Sequence, residues 1–319
     1  MGKYKLGGGG GENEIISKSN INMLTDPKQL KGSLLIFLSS ILFGSFGIWS
    51  VLTGRDFGVF FQGYVRAIIV LLFLIPMCIY SKSWVKIEKR DYKSFAVFSI
   101  FVVFTQAPLY YAFQHSGVGI ASLVFFATYL ITQYIFGGLF LDEKIGKVKV
   151  ISFILAITGL LFVFNTSIGI FSLFALVMAS INGIASGSEI ASTKLIRKEF
   201  GVIQTSIIGW LAIVITHLPM SLLFGEKQII PTISIHWIAM LCFAISGMLA
   251  FMFVVYGYKT IEASIGGLIG LLEIVFAILF GAIVFGEKIT TSIVFGSLII
   301  LCSAMLPYLN AGWWTRDRT

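Results

Sequence analysis

Two apolar runs in this chain close with nearly the same ending. Leu141-Asp142-Glu143-Lys144-Ile145 ends one and Phe285-Gly286-Glu287-Lys288-Ile289 the other, with the two glutamates 144 positions apart. Ile75-Pro76-Met77 recurs as Leu218-Pro219-Met220 after 143 positions, and Tyr111-Ala112-Phe113-Gln114 is answered by Tyr256-Gly257-Tyr258-Lys259 after 145. Each half contains five long apolar segments. Five is odd, so if every segment crosses a bilayer the second half enters from the side opposite to the first. A repeat of that kind predicts an inverted-topology carrier with its site at the repeat interface near mid-bilayer.

Composition supports the bilayer. Apolar residues make up 57% of the 319 and charged residues 12%, against about 45–50% and about 25% in soluble domains. A helix needs about 20 apolar residues to cross the hydrocarbon. The segments fall at roughly 33–53, 57–80, 94–113, 117–141, 146–165, 169–190, 201–224, 235–257, 262–285 and 290–310. The expected fold is therefore an all-α integral membrane protein, with ten transmembrane helices in two inverted five-helix repeats. Residues 1–32 are expected to be a flexible tail, 33–166 the first repeat, 167–310 the second, and 311–319 a short second tail. With the N-terminus placed inside, inner segments carry 19 of the 23 Lys and Arg residues and outer loops carry three, Arg55, Lys227 and Lys288. That asymmetry predicts a multi-pass protein of the plasma (inner) membrane with both termini cytoplasmic. Trp313 and Trp314 beside Arg316 fit an inner interfacial belt, and no cleavable signal peptide is expected.

The net charge of +8 is spread through short loops, as topology signals are, and forms no basic patch interleaved with aromatics, so nucleic acid is not an expected partner. Cys78, Cys242 and Cys302 lie singly in apolar runs without metal-ligand spacing, so no metal or cofactor is expected. Phosphate-binding loops, metalloprotease motifs and nucleophile elbows are absent, which points away from an enzyme and from ATP-driven transport. Asn165-Thr166-Ser167 matches a glycosylation sequon, a pattern common by chance.

Charge inside the hydrocarbon is expensive and marks candidates. Glu273 lies near the middle of the ninth segment. Arg66 lies in the second, about 12 Å along the helix from its outer end at 1.5 Å per residue. Low dielectric disfavours the ionised carboxyl, so Glu273 is a candidate proton or substrate carrier. It can equally be a packing residue. Arg66 is a candidate contact for a substrate anion, or a structural cation. Gln106, Gln133 and Asn182, with Tyr111, Tyr129 and Tyr256, form an uncharged second set, since buried amides and phenols require partners. Tyr64, Tyr110, Tyr134 and His217 are polar residues of the same helices. Glu189 is expected at the inner interface near Lys194. Pro76, Pro108 and Pro219 should kink or end helices, freeing backbone carbonyls. The glycine pairs 44/47, 183/187 and 266/270 allow close helix packing. A polar cavity is expected among the first, third, fourth, sixth, eighth and ninth segments.

Phe43-Gly44-Ser45-Phe46, Arg66, Tyr111-Ala112-Phe113-Gln114, Leu272-Glu273-Ile274-Val275-Phe276 and Gly286-Glu287-Lys288 together resemble the drug/metabolite transporter superfamily, and specifically its EamA-type ten-helix members. Phe43 replaces that family's Trp. Ile274 replaces its usual Pro, which makes a helix break beside Glu273 less expected. The resemblance covers residues 33–310. It implies secondary transport of a small metabolite such as an amino acid, often outward, with the lipid bilayer and a small-molecule substrate as partners and protons as a candidate coupling ion. The alternatives are an importer or lipid-linked flippase of the same fold, or a non-transporting membrane receptor or assembly subunit.

Overall fold

The computed structural model describes residues 26–54, 56–116, 118–164 and 172–309. The two tails beyond them, Arg55, the Asn165 sequon, and Trp313 and Trp314 lie outside this set.

Ten helical spans long and apolar enough to cross a membrane run through the described residues. Spans 1, 3 and 9 are each built from two helices, α1 (Pro27–Gly44) with α2 (Phe46–Thr53), α4 (Tyr92–Val103) with α5 (Ala107–Ser116), and α11 (Ala263–Gly270) with α12 (Leu272–Phe285). The others are single helices. Span 2 is α3 (Val59–Tyr80), span 4 α6 (Val118–Phe140), span 5 α7 (Lys147–Phe164) and span 6 α8 (Leu173–Ser192). Span 7 is α9 (Val202–Leu223), span 8 α10 (Ile235–Tyr258) and span 10 α13 (Thr291–Leu309). α1 begins at Pro27, six residues before the expected edge of the repeat. Asp26 accepts a hydrogen bond from the Lys28 N–H at 2.9 Å, and Pro27 occupies a position where its missing donor costs nothing.

The two repeats pack alike. A side chain at Gly44 of α1 would lie 2.7 Å from Phe276 Cβ and 2.9 Å from the Glu273 carbonyl on span 9. A side chain at Gly187 of α8 would lie 2.9 Å from both Thr132 Cβ and the Tyr129 carbonyl on α6. Gly44 and Gly187 are 143 positions apart, Glu273 and Tyr129 144. Span 1 therefore meets span 9 as span 6 meets span 4. Glycine is required at both crossings because the backbones touch, which is how helices gain packing energy in lipid. Spans 5 and 10 cross likewise at Gly159 and Gly296. Large apolar side chains such as Ile79, Leu139 and Ile283 are more than 70% exposed, as lipid-facing residues should be.

The two ends differ. The end carrying Pro27 and Leu309 also holds most of the loop lysines and arginines, and is called the basic end below. There Asp91 pairs with Arg197 at 2.7 Å and buried Lys149 with Glu262 at 2.8 Å. At the opposite end, Glu226 follows span 7 and its carboxylate accepts from the Phe60 and Phe61 N–H groups at 3.1 and 2.7 Å, capping α3 across the repeat boundary.

Candidate functional site

The break in span 3 builds one half of the site. Pro108 has no N–H to give the Phe104 carbonyl one turn back, so the helix cannot run through. Asn182 of α8 supplies the missing donor, its Nδ2 giving to Phe104 O at 3.0 Å, while its Oδ1 accepts from Ser186 Oγ at 3.3 Å. Both ends of the Asn182 amide are thus engaged, and Asn182 positions the break. The break presents Gln106. Arg66 of α3 reaches it, Nη2 donating to Gln106 Oε1 at 2.6 Å and Nε to the Gln62 carbonyl at 3.2 Å. The guanidinium carbon lies 4.1 Å from the Phe243 ring centre and 5.6 Å from that of Tyr110. Arg66 is 3% exposed, and among the described residues no carboxylate lies within ion-pair distance of it. Arg66 and Glu273 form no pair.

The other half lies along span 9. The chain tightens at Leu271, where the Ile274 N–H bonds the Leu271 carbonyl at 3.1 Å, three residues back. The turn forms without a proline, two residues before Glu273. Glu273 opens α12, is partly buried, and has no hydrogen bond or ion pair among the described residues. Tyr129 of α6 lies against the same span, its hydroxyl 3.1 Å from where a side chain at Gly270 of α11 would begin. One turn nearer the basic end, Gln133 packs on Gly267 and Tyr258 on Gly266. Gln133 and Tyr258 are fully buried, and the Tyr129 hydroxyl lies within interaction range of both the Gln133 amide and the Tyr258 hydroxyl. Tyr129 lies within electrostatic reach of both Glu273 and Glu189. Small residues on span 9 therefore admit a column of polar side chains from spans 4 and 8.

These two polar groups lie on spans 2, 3, 4, 6, 8 and 9. Gln106, Tyr110, Glu189 and Glu273 are each partly exposed. Two hollows of about 180 Å³ open on the surface, one lined by residues including Ile131, Ile135 and Phe153, the other by Val275, Leu279 and Ile293. Neither borders Arg66 or Glu273. The expected polar cavity is therefore neither of these two hollows, and the partly exposed side chains border open space elsewhere.

The EamA-like transporter family matches the chain twice, over residues 30–165 and 173–309. This chain belongs to that family. The two matches are the two repeats, and the family is one of membrane transporters. A solved structure titled "Crystal structure of protein" superposes with a TM-score of 0.74, covering 89% of this chain and 98% of that one, at 14% identity; at that identity the likeness shows the fold alone. Comparison with curated proteins gave no match.

Two expected site residues of this EamA transporter lie apart from both polar groups. Tyr111 stacks on His115 at 4.0 Å and meets Phe174 edge-on. Tyr256 is 44% exposed beside Lys259. His217 is buried against Gly63 where spans 2 and 7 cross. Glu189, expected near Lys194 at the inner interface, does not pair with it. Lys194 meets Glu143 Oε1 at 3.4 Å and the Ile261 carbonyl at 2.7 Å, and the Glu189 carboxylate has no hydrogen bond or ion pair among the described residues.

Three participants were not singled out in the sequence. Phe243 is one apolar residue among many. Tyr258 differs from Tyr256 only in helical phase. The third is Glu143, read first as a repeat marker. Its carboxylate accepts from the Ala263 N–H, from the Ser264 N–H at 3.1 Å and from Ser264 Oγ at 2.9 Å, fastening span 4 onto the start of span 9.

Proposed function

We propose that this transporter moves a small metabolite bearing an anionic group, such as an amino acid or a related compound, by alternating access. Arg66 carries the reading. A guanidinium this deep is costly without a counter-charge, and a carboxylate on the substrate would supply one in a geometry that guanidinium binds well. Phe243 and Gln106 hold the group in place before substrate arrives, and α5 starts beside it, adding the positive end of a helix. Glu273 and Glu189 offer the opposite sign along the same passage. A substrate with both an ammonium and a carboxylate group matches both halves.

Protons are the coupling ion in this reading, with Glu273 as their carrier. The basic end faces the cytoplasm of the plasma (inner) membrane, following the Lys and Arg asymmetry, and movement is outward, following the family resemblance. The test is uptake and efflux of amino acids in proteoliposomes under imposed pH gradients. Arg66→Gln should lose most uptake of the carboxylate-bearing substrate while remaining folded. Uptake at the wild-type level by Arg66→Gln would remove Arg66 from the binding site.

A further inference from the structure

Glu143 joins three spans from both repeats. It leaves the end of α6 through a backbone turn in which its N–H bonds the Gly137 carbonyl at 2.9 Å, and its side chain folds back over Gly137. The carboxylate then takes the first N–H groups of α11, the Ser264 hydroxyl and the Lys194 ammonium. The Glu143 side chain is 5% exposed.

Glu287 has the same local structure at the other end of the protein. Its N–H bonds the Gly281 carbonyl at 3.3 Å, and its side chain folds back over Gly281. Yet Glu287 is exposed and its carboxylate has no partner among the described residues. The 144-residue offset that relates the two glutamates carries Ala263 and Ser264 onto Gly119 and Ile120, near the start of α6. Both of those residues are partly exposed.

We infer that Glu143 and Glu287 are a pair of latches used in alternation. With Glu143 on residues 263 and 264, the contact seen here, the basic end is shut. In the opposite state Glu143 lets go and Glu287 takes the N–H groups of residues 119 and 120, shutting the other end. Each latch is a carboxylate on a helix N-terminus, where charge-assisted hydrogen bonds and the helix dipole act together. The latches are unequal. Ile120 has no hydroxyl where Ser264 has one, and the offset carries the Lys194 ammonium onto Ser50, so the Glu287 latch has weaker donors and the protein rests with the basic end shut. The inference rests on alternating access between the two repeats and not on the identity of the substrate.

The test needs no substrate. A single reporter cysteine, Ser188→Cys, is placed in α8 at a site now 4% exposed, in a chain whose three native cysteines are serine. Labelling by a membrane-impermeant thiol reagent from the basic side reports opening of that end. Glu143→Gln keeps one acceptor oxygen and turns an NH₂ toward backbone N–H groups, so labelling should rise about tenfold, equivalent to about 1.4 kcal/mol. Ser264→Ala should raise it less. Adding Glu287→Gln to Glu143→Gln should reverse most of the rise, since the opposite state then loses its own latch. A double variant labelled as fast as Glu143→Gln alone would overturn the alternation. Ser264→Ala and Glu143→Gln both labelled at the wild-type rate would overturn the latch itself. If Glu143→Gln does not fold, Ser264→Ala with and without Glu287→Gln gives the same comparison. Labelling that shifts as expected while no carboxylate substrate is transported would leave the latches standing and remove the Arg66 reading.

Discussion

Glu273→Gln separates coupling from packing. Glu273 has no hydrogen bond or ion pair among the described residues, and Arg66 is engaged by Gln62, Gln106 and two aromatic rings. A Gln of nearly the same shape therefore removes no observed interaction. The expected stability change is under about 0.5 kcal/mol, the range of substitutions that break no specific feature. Breaking a buried ion pair would instead cost about 3–5 kcal/mol, so the two possibilities are well separated. The assay has two parts. Denaturant unfolding in detergent reads stability. Flux in proteoliposomes, with and without a pH gradient, reads coupling. Because Gln cannot release a proton, pH-driven flux should be lost while substrate exchange persists in part. A stability loss of several kcal/mol would reveal an ion partner and refute the structural premise. Wild-type pH-driven flux in a well-folded Glu273→Gln protein would refute the coupling role.

Further perturbations test the scaffold. Asn182→Ala removes the donor that replaces the Pro108 N–H at Phe104 O; unfolding measurements should show a loss of about 0.6–1.7 kcal/mol, the range for interhelical hydrogen bonds in membranes. Gly44→Val and Gly187→Val drive a side chain into touching backbones, with expected losses of at least about 1–3 kcal/mol, whereas Gly47→Ala meets nothing within 4 Å and should hold or raise the melting temperature, since Ala favours the helix over Gly.

What could be read from the sequence was what depends on period and sign. The repeat offset, the ten apolar runs and glycines such as Gly44, Gly183 and Gly187 lead directly to the architecture, because helices in lipid must satisfy their own backbone and can approach closely only through small residues; Gly47, paired with Gly44 in the sequence, touches no neighbouring helix. The two intramembrane charges were also visible, since any charge there stands out against apolar neighbours. Helical phase was harder to read. Tyr256 and Tyr258 are two positions apart and point to different surroundings, one 44% exposed and the other fully buried; nothing in a uniformly apolar helix says which faces inward. The break in span 9 was less expected because Ile274 stands where a proline would have announced it, yet the chain tightens at Leu271 all the same.

The roles of Asn182 and Glu143 illustrate a second limit, that of long-range pairing. As a buried amide Asn182 was a candidate for substrate contact, yet its partner is a carbonyl 78 positions away that Pro108 leaves unsatisfied. The proline and the asparagine are two halves of one device, and their joint effect is to place Gln106 beside Arg66. Glu143 was legible as a repeat marker and not as a latch, because its partners lie 120 and 121 positions on, in the other repeat. In both cases the residue type stated a need, a donor for a bare carbonyl or donors for a carboxylate, and only the fold identified what met it. The unmet needs are therefore the informative ones. Among the described residues Arg66 has no counter-anion and the Glu273 and Glu287 carboxylates have no partner, and these are the groups through which a carrier can engage a substrate, a proton or its own opposite conformation.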